Sequence, residues 1–236
     1  MIDLHTHILP AIDDGPQCVE EALEMTEELY KQGVMEAVCT PHFDPTKTSL
    51  EYFLEHRSNA LLQMKEARIH LIPASETFLH DYLFHYTDLS KLCIENTGYL
   101  LLELPFLKKW DSRLIDSLDR LISYYGIIPI IAHIERYPAV KIKQIKALKE
   151  LGCFIQMNTS MILNRKTRKK AFHYLKKGYI DVIGSDCHNN RTRPPVMLEA
   201  FHQIEEKLGT NYIEKLNFHA ISIVKGTDLR KQEAIK

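Results

Sequence analysis

The sequence is poor in the residues that define several structural classes. Its five cysteines are scattered at positions 18, 39, 93, 153 and 187 and never form a C-x-x-C pair. This usage is typical of reduced thiols, and it argues against a disulfide framework or a thiolate zinc site. Nine glycines and ten prolines in 236 residues are too few for a low-complexity or fibrous chain. We therefore expect a globular protein from a reducing compartment.

An excess of charge of one sign is also lacking. Lysine and arginine number 30 against 31 aspartate and glutamate, so the formal net charge is −1, which argues against a polybasic nucleic-acid-binding protein. No apolar run approaches the ~20 residues that span a bilayer. We predict a cytoplasmic protein that binds no nucleic acid and inserts into no membrane. A hydrophobic content of 45% predicts one sizeable core, and hence one domain over residues 1–236.

Short apolar segments alternate with amphipathic segments along the whole chain. They predict seven strands, at residues 1–4, 36–40, 70–75, 99–104, 127–132, 153–157 and 180–184. Helical patterns such as 19–32 and 50–67 separate them. Seven βα units without a linker predict an α/β barrel that is closed or nearly closed. An open doubly wound sheet is the alternative, and residues 219–225 could form either a last strand or a closing helix.

Ionisable side chains follow six of the seven predicted strands. In a βα barrel these positions share the carboxyl-terminal mouth, where active sites lie. The candidate ligands are His5, His7, Asp14, His42, Glu76, Glu103, His133, Asp186 and His188. Such groups are costly to bury unless they are paired or bound to metal. Imidazole and carboxylate without thiolate favour Mn, Fe or Zn, and nine donors exceed one coordination shell, so we predict two or three divalent ions.

Other residues beside these segments have two interpretations each. Arg136 and Arg193 could bind phosphate or be ordinary surface arginines. Phe43, Phe106 and Tyr137 could flank an aromatic ring or pack in the core.

The segment from Cys187 to Arg193 has the C-x5-R spacing of cysteine-dependent tyrosine phosphatases. In that chemistry a thiolate attacks phosphorus while loop amides hold the phosphate. The segment contains no glycine, and the metal interpretation already assigns the residues on both sides of the cysteine. We therefore favour the metal interpretation.

Several motifs together resemble the PHP (polymerase and histidinol phosphatase) superfamily. They are DLHTHILPAIDDGP at the N-terminus, the Pro41-His42 pair, HIERYP from His133 and SDCHNNRTRPP from Ser185. More narrowly, the chain resembles the manganese-dependent protein-tyrosine phosphatases of the CpsB/YwqE group, which are encoded with bacterial capsule and exopolysaccharide genes. The resemblance implies a distorted (β/α)7 TIM-like barrel, the PHP fold, and favours a helix at residues 219–225.

The resemblance also implies a site with three divalent ions, usually Mn²⁺. Carried over by position, the first ion takes His5, His7, Glu76 and Asp186, and Glu76 bridges to a second ion completed by Glu103 and His133. The third takes Asp14, His42 and His188, while Arg136 and Arg193 match the phosphate-binding arginines. Asp14 stands where other PHP branches have histidine, which favours the tyrosine-phosphatase group.

The expected activity is therefore hydrolysis of phosphotyrosine by metal-activated hydroxide. The resemblance implies as partner a membrane-associated bacterial tyrosine kinase that controls polysaccharide export. One alternative is a PHP phosphoesterase for a small metabolite such as histidinol phosphate. A catalytically silent metal-binding module is another, although the two arginines beside a full ligand set argue against it.

Overall fold

The computed structural model describes residues 1–233, so the last three residues of the predicted domain lie outside the described part. The strands are β1 Ile2–Thr6, β2 Glu36–Cys39, β3 His42–Phe43, β4 His70–Pro73, β5 Glu76–Phe78, β6 Tyr99–Glu103, β7 Ile128–Ile131, β8 Phe154–Asn158 and β9 Val182–Gly184. The helices are α1 Val19–Lys31, α2 Leu50–Gln63, α3 Ser112–Ser123, α4 Ile142–Glu150, α5 Thr159–Leu163, α6 Arg168–Lys176, α7 Leu198–Leu208, α8 Thr210–Val224 and α9 Leu229–Glu233. Three short 3-10 helices, Asp81–His85, Ser90–Leu92 and Ile134–Arg136, lie in the connections.

All strand pairs are parallel, and together they form a curled sheet of seven strand positions. β2 with β3 and β4 with β5 each occupy one position, because β2 pairs with β4 and β3 with β5. From β5 the pairing continues through β6, β7 and β8 to β9. The last strand then meets the first, where the Asp186 amide donates to the His5 carbonyl oxygen at 2.8 Å and the His7 amide to the Cys187 carbonyl oxygen at 2.9 Å. The predicted α/β barrel is confirmed.

The lower part of the barrel interior is filled by apolar side chains. Every strand position contributes at least one, including Ile2, Val38, Ile72, Leu101, Ile130, Phe154 and Val182. Their register forms layers, since Val38 pairs with Ile72 and Leu101 with Ile130. Residues Ala220, Ile223 and Leu229 of α8 and α9 pack on the same cluster. The interior is thereby closed at the end opposite to the predicted site.

An irregularity in β1 turns the first polar pair toward the mouth. The register of β1 against β2 shifts between Asp3 and Thr6, and such a bulge changes which face a side chain occupies. Leu4 packs in the interior cluster with Ile2, as strand alternation requires. The bulge lets His5, the next residue, also face inward, where its Nε2 atom lies 3.1 Å from that of His7. The bulge combines an apolar interior with a polar rim within six residues.

Each of the seven predicted strands corresponds to an observed strand, with differences at the ends. Residues 219–225, which the residues alone left open, lie almost wholly in helix α8, as the family resemblance favoured. Gly33, Gly126, Gly152 and Gly178, each just before a predicted strand, have positive φ angles that side chains rarely adopt. The second and third predicted strands correspond to β2 and β4, and the short strands β3 and β5 that follow them were not predicted. Among residues 1–233, no helix combines the length and apolarity that a membrane crossing requires.

Gly184 at the end of β9 provides a test of the packing at the mouth. A Cβ atom there would lie 2.6 Å from the Cβ of His5 and 3.1 Å from Nε2 of Gln156. We expect Gly184→Ala to lower the free energy of unfolding by about 1–3 kcal/mol, the usual cost of overpacking. Urea denaturation measures this. The matched control is Gly98→Ala, where the nearest atom to the new Cβ is 3.6 Å away, and equal stability of the two variants would contradict the packing argument.

Candidate metal centre

All nine predicted ligands lie at the carboxyl-terminal mouth of the barrel, in one connected cluster. His5 lies near the end of β1 and Glu103 ends β6, while His42 and Glu76 begin the short strands β3 and β5. His133 follows β7, while Asp186 and His188 follow β9. The sequence pattern places these side chains together because parallel strands bring their carboxyl ends to one rim.

Glu76 is at the centre of this cluster and is fully buried. Its Oε2 atom lies 3.3 Å from His5 Nε2, 3.1 Å from His7 Nε2 and 3.1 Å from His42 Nδ1. Its Oε1 atom lies 2.6 Å from His133 Nε2, which is also 3.4 Å from Glu103 Oε1. One carboxylate therefore joins four imidazoles.

Asp14, His42 and His188 form the outer part of the cluster. The Asp14 Oδ1 atom lies 3.4 Å from His42 Nε2 and 3.2 Å from His188 Nε2. Asp14 is mostly exposed, with 61% of its side chain accessible, whereas His188 is buried. His7 connects this part to the rest, because its ring centroid is 3.9 Å from that of His188.

Both predicted arginines contact the cluster through Asp186. Arg193 Nη2 donates to Asp186 Oδ1 at 2.7 Å, and Arg136 Nη1 donates to Asp186 Oδ2 at 3.2 Å. Arg193 also lies 3.6 Å from Asp14 Oδ2. The Arg136 and Arg193 side chains are 43% and 33% exposed, so parts of both guanidinium groups face the solvent above the cluster.

A supporting layer that the sequence analysis did not assign holds these side chains in place. Asp13 Oδ2 accepts from His7 Nδ1 at 2.7 Å and from the His42 amide at 3.0 Å. Gln156 Oε1 accepts from His5 Nδ1 at 3.3 Å and from the His133 amide. Protons on Nδ1 leave the Nε2 atoms of His5 and His7 free to bind a metal when these residues are neutral.

Asn158 extends this layer to Asp186. Its Nδ2 donates to Asp186 Oδ2 at 2.7 Å, while its Oδ1 accepts from Gln156 Nε2 at 2.8 Å. Both amides lie in β8, the one predicted strand without an ionisable residue at its end. The sequence feature that could have identified these two residues is their spacing. Gln156 and Asn158 are two apart in an otherwise apolar strand, which places both side chains on one face.

Two of the candidate ligands have left-handed backbone conformations. The φ angles are 29° at His133 and 56° at Asp186, in a region that non-glycine residues seldom occupy but that aspartate and histidine tolerate best. Each residue lies two positions after the end of a strand. The His133 amide donates to the Gln156 side chain, and the Asn158 side chain donates to Asp186, which holds both residues in place. Strain of this kind concentrates at functional sites.

Protonation compensates the negative charge of the gathered carboxylates. Burial alone would lower the pKa of His7, yet Asp13 and Glu76 raise it to about 9. Burial is likewise outweighed at His133, where Glu103 and Glu76 raise the pKa to about 9, and at His42, where Asp14 and Glu76 raise it to about 11. At His188, burial and the positive charges of His7 and Arg193 lower the pKa to about 4. The cluster therefore attracts cations.

The residues fit a group of divalent ions. Three sets of side chains each bring potential ligand atoms within 4.8 Å of one another: His7, Asp14, His42 and His188; His5, His7 and Asp186; and His42, Glu76 and Glu103. The buried Glu76 Oε2 and His188 Nε2 atoms make no hydrogen bond of good geometry, although ionisable partners lie 3.1 Å and 3.2 Å away. Buried polar atoms are normally satisfied, so such atoms point to a missing ligand.

The environment of Cys187 excludes it as a nucleophile. The residue is fully buried, and burial raises the pKa of its thiol well above the usual range, whereas a nucleophilic cysteine has a lowered pKa and is accessible. Among the aromatic candidates, Phe43 and Tyr137 belong to the buried core, and the Tyr137 hydroxyl accepts from the Leu104 amide. Phe106 is 46% exposed, with its ring centroid 6.1 Å from that of His133.

Comparison with known proteins identifies the family of this chain. Residues 1–224 match the model of a family described as "Capsular polysaccharide synthesis, CpsB/CapC". The chain belongs to the CpsB/CapC family. A curated relative, the tyrosine-protein phosphatase CpsB of Streptococcus pneumoniae, is 32% identical over 235 residues, covering 92% of this chain and 94% of the relative.

A second curated relative and a solved structure are also similar to this chain. The tyrosine-protein phosphatase YwqE of Bacillus subtilis is 26% identical over 244 residues, covering 98% of this chain and 94% of YwqE. A solved structure from a study of YwqE and of CpsB from S. pneumoniae, described as unique metal-dependent tyrosine phosphatases, superposes with a TM-score of 0.83. That match has 25% identity and covers 96% of this chain and 95% of the other.

Metal binding by this CpsB/CapC chain should depend on pH. Because the pKa values of His7, His42 and His133 are raised above neutrality, a metal ion must displace protons from them. Between pH 6 and 8 we expect the apparent affinity for Mn²⁺ to rise about tenfold per pH unit for each displaced proton. Isothermal titration of chelator-treated protein with Mn²⁺, in buffers of different ionisation enthalpy, measures both the affinity and the number of protons released.

The matched control is His70→Ala, because His70 is an exposed histidine at the opposite end of the barrel. It should bind Mn²⁺ as the parent chain does, whereas His7→Ala should bind it more weakly. Affinity independent of pH, with no proton release, would contradict the prediction.

Proposed function

We propose that this chain is a metal-dependent protein-tyrosine phosphatase that hydrolyses phosphotyrosine in a protein substrate. The observation that carries the proposal is the gathering of nine candidate metal ligands and two arginines at one barrel mouth, in a chain of the CpsB/CapC family. Relatives of similar length are tyrosine-protein phosphatases. A structural neighbour comes from enzymes described as metal-dependent.

We infer that the site holds three divalent ions, with Mn²⁺ the preferred metal and Fe or Zn able to replace it. His5, His7, Glu76 and Asp186 would hold the first ion, and Glu76, Glu103 and His133 the second. Asp14, His42 and His188 would hold the third. The short distances from Glu76 Oε2 to His5 and His7, and from Glu76 Oε1 to His133, support a bridging role for that carboxylate.

Arg136 and Arg193 would bind and orient the phosphoryl group. Their guanidinium groups both contact Asp186, are fixed by it from below and remain partly exposed above it. Planar guanidinium forks match the non-bridging oxygens of phosphate and stabilise charge that develops on them. When bound, divalent ions supply further positive charge and lower the pKa of water from 15.7 toward ~7. The supporting layer of Asp13, Gln156 and Asn158 keeps the ligand atoms in position without reorganisation.

An aryl phosphate ester is the substrate that suits this site best. The tyrosine leaving group, with a pKa of about 10, departs more readily than an alkoxide. Phe106 is exposed beside the site, and the Arg136 guanidinium carbon lies 5.9 Å from its ring centroid. We place the substrate ring against Phe106, which would orient the ester bond over the cluster.

We further propose a membrane-associated bacterial tyrosine kinase as the protein substrate, with control of capsule or exopolysaccharide synthesis as the role. The family's connection with capsular polysaccharide synthesis supports this role. The five free thiols, four of them buried, suit a reducing compartment, so we place the activity in the cytoplasm. The chain would act as one PHP phosphatase domain.

A substrate comparison tests the proposed activity. Chelator-treated protein resupplied with Mn²⁺ should hydrolyse a phosphotyrosine peptide with a kcat/KM at least tenfold above that for histidinol phosphate, because the phenolate leaves more easily and the ring contacts Phe106. Phosphate release measures both rates. Protein without added metal should be inactive.

The Cys187→Ser variant serves as a control for thiol chemistry. Its activity should stay within a few-fold of the parent, because the buried thiol has no place in the reaction. Faster turnover of histidinol phosphate would replace the proposed substrate by the small-metabolite alternative.

The two arginines give a separate test. Arg136→Ala and Arg193→Ala should each lower kcat/KM for phosphotyrosine peptides by about 10²–10³, the usual cost of losing one group that stabilises transition-state charge. Because neither arginine is proposed as a ligand, the bound metal measured by mass spectrometry should stay the same. Arg113→Ala is a suitable control, since that arginine is exposed and pairs with Asp111. Loss of metal in either variant would make these arginines supports of the metal site instead.

A further inference from the structure

A second cavity opens directly beside the candidate metal centre. It has a volume of about 670 Å³ and lies between helix α5 and residues 192–196; we call it the α5 cavity. Arg136, Arg193 and Asp186 are among the residues that line it. The two arginines that we assign to the phosphoryl group therefore contact the candidate metal centre and also line this cavity.

The α5 cavity has more space than a phosphoryl group requires. Binding sites for whole small molecules typically measure ~300–1,000 Å³, and this cavity lies within that range. Met161, Leu163 and Val196 give it an apolar surface, while Ser160 and Asn164 add polar groups. Such a lining suits a peptide segment, which presents both side chains and backbone groups.

Positive charge lies in the sequence between two residues that line the α5 cavity. Asn164 and Thr167 both line the cavity, and the residues between them, Arg165 and Lys166, are exposed. The whole stretch from residue 151 to residue 180 contains seven lysines and arginines and no aspartate or glutamate. An anionic partner is favoured at such a surface, and the attraction weakens as salt increases.

The turn that carries these cations has a fixed shape. Arg168 donates from Nε to the Ile162 carbonyl oxygen at 2.9 Å and from Nη2 to the Leu163 carbonyl oxygen at 2.8 Å. The Thr167 hydroxyl donates to the Met161 carbonyl oxygen at 2.8 Å. These bonds satisfy carbonyl groups at the end of α5, so Arg165 and Lys166 are presented on an ordered turn.

Two carboxylates line the α5 cavity. Asp186 accepts from both arginines, and Glu135 Oε1 accepts from the Asn158 amide at 3.1 Å, while Glu135 Oε2 is buried without a hydrogen-bond partner. The exposed charged residues on the neighbouring turn, Arg165 and Lys166, are both positive. Neither inorganic phosphate nor a small phosphorylated metabolite would use this extra space and charge, whereas a peptide that continues beyond its phosphotyrosine would.

We propose that the α5 cavity is a substrate subsite that receives the residues next to phosphotyrosine in an acidic peptide. The partner class is a peptide with aspartate, glutamate or a second phosphotyrosine beside the residue that is hydrolysed. The inference rests on the proposed function, because it takes Arg136 and Arg193 as the phosphoryl-binding end. What it adds is selectivity for the residues that lie next to the phosphotyrosine of the substrate.

The test compares three phosphotyrosine peptides that differ only in the two neighbouring residues, which are Glu, Gln or Lys. At low ionic strength kcat/KM should fall in that order, by about threefold to tenfold between the Glu and Lys peptides, as expected for partly exposed charge pairs. The ratio should shrink in 0.5 M salt. A Lys166→Glu substitution should abolish or reverse the ratio, whereas Lys65→Glu, a control at another exposed lysine, should keep it.

A second variant fills the α5 cavity without changing charge. Ser160 is exposed and lines the cavity, so Ser160→Trp should fold and should raise KM for the peptides much more than KM for para-nitrophenyl phosphate. Hydrolysis of all three peptides at equal kcat/KM, or the same ratio in parent and Lys166→Glu, would overturn the subsite and leave the proposed function standing. Failure to hydrolyse any phosphotyrosine peptide would overturn both.

Discussion

The mouth of this barrel depends on the compensation of gathered negative charge. Glu76, Asp186, Glu103 and Asp14 meet within one cluster, two of them fully or almost fully buried. Carboxylates so placed repel one another and lose hydration, so they stay ionised only where cations surround them. Imidazoles and two arginines supply that charge in the protein alone. The same donor set suits divalent ions, which would have to displace the protons from these imidazoles.

The barrel makes this unfavourable collection possible. Its interior is apolar at one end and polar at the other, and the bulge between Asp3 and Thr6 marks the change in β1. Apolar layers such as Leu101 with Ile130 stabilise the sheet independently of the site. The rim can then hold strained or repulsive groups, including His133 and Asp186 with positive φ angles, because the energy comes from packing elsewhere.

Most of the site could be predicted because it follows from position on parallel strands. A histidine or carboxylate after an apolar strand, as at Glu76 or His133, is unusual and easily recognised. The supporting residues were harder, since Gln156 and Asn158 carry no charge and lie inside a strand, and Asp13 is distinguished from Asp14 only by the tertiary structure. Asp13 turns inward to His7 Nδ1, whereas Asp14 faces His42 and His188. Short strands such as β3 gave no recognisable pattern, because two residues are too few for a period.

The α5 cavity was beyond sequence analysis for a different reason. It is formed where α5, the turn at residues 164–167 and residues 192–196 approach one another, and no local pattern predicts that approach. Its charge, in contrast, is visible in the sequence as a stretch without acidic residues. If chemistry and substrate selection are separated in this way, the ligands of the mouth are constrained by the metal, whereas the rim at Arg165 and Lys166 can vary with the charge of the partner. Selectivity could then change between family members without disturbing the buried cluster.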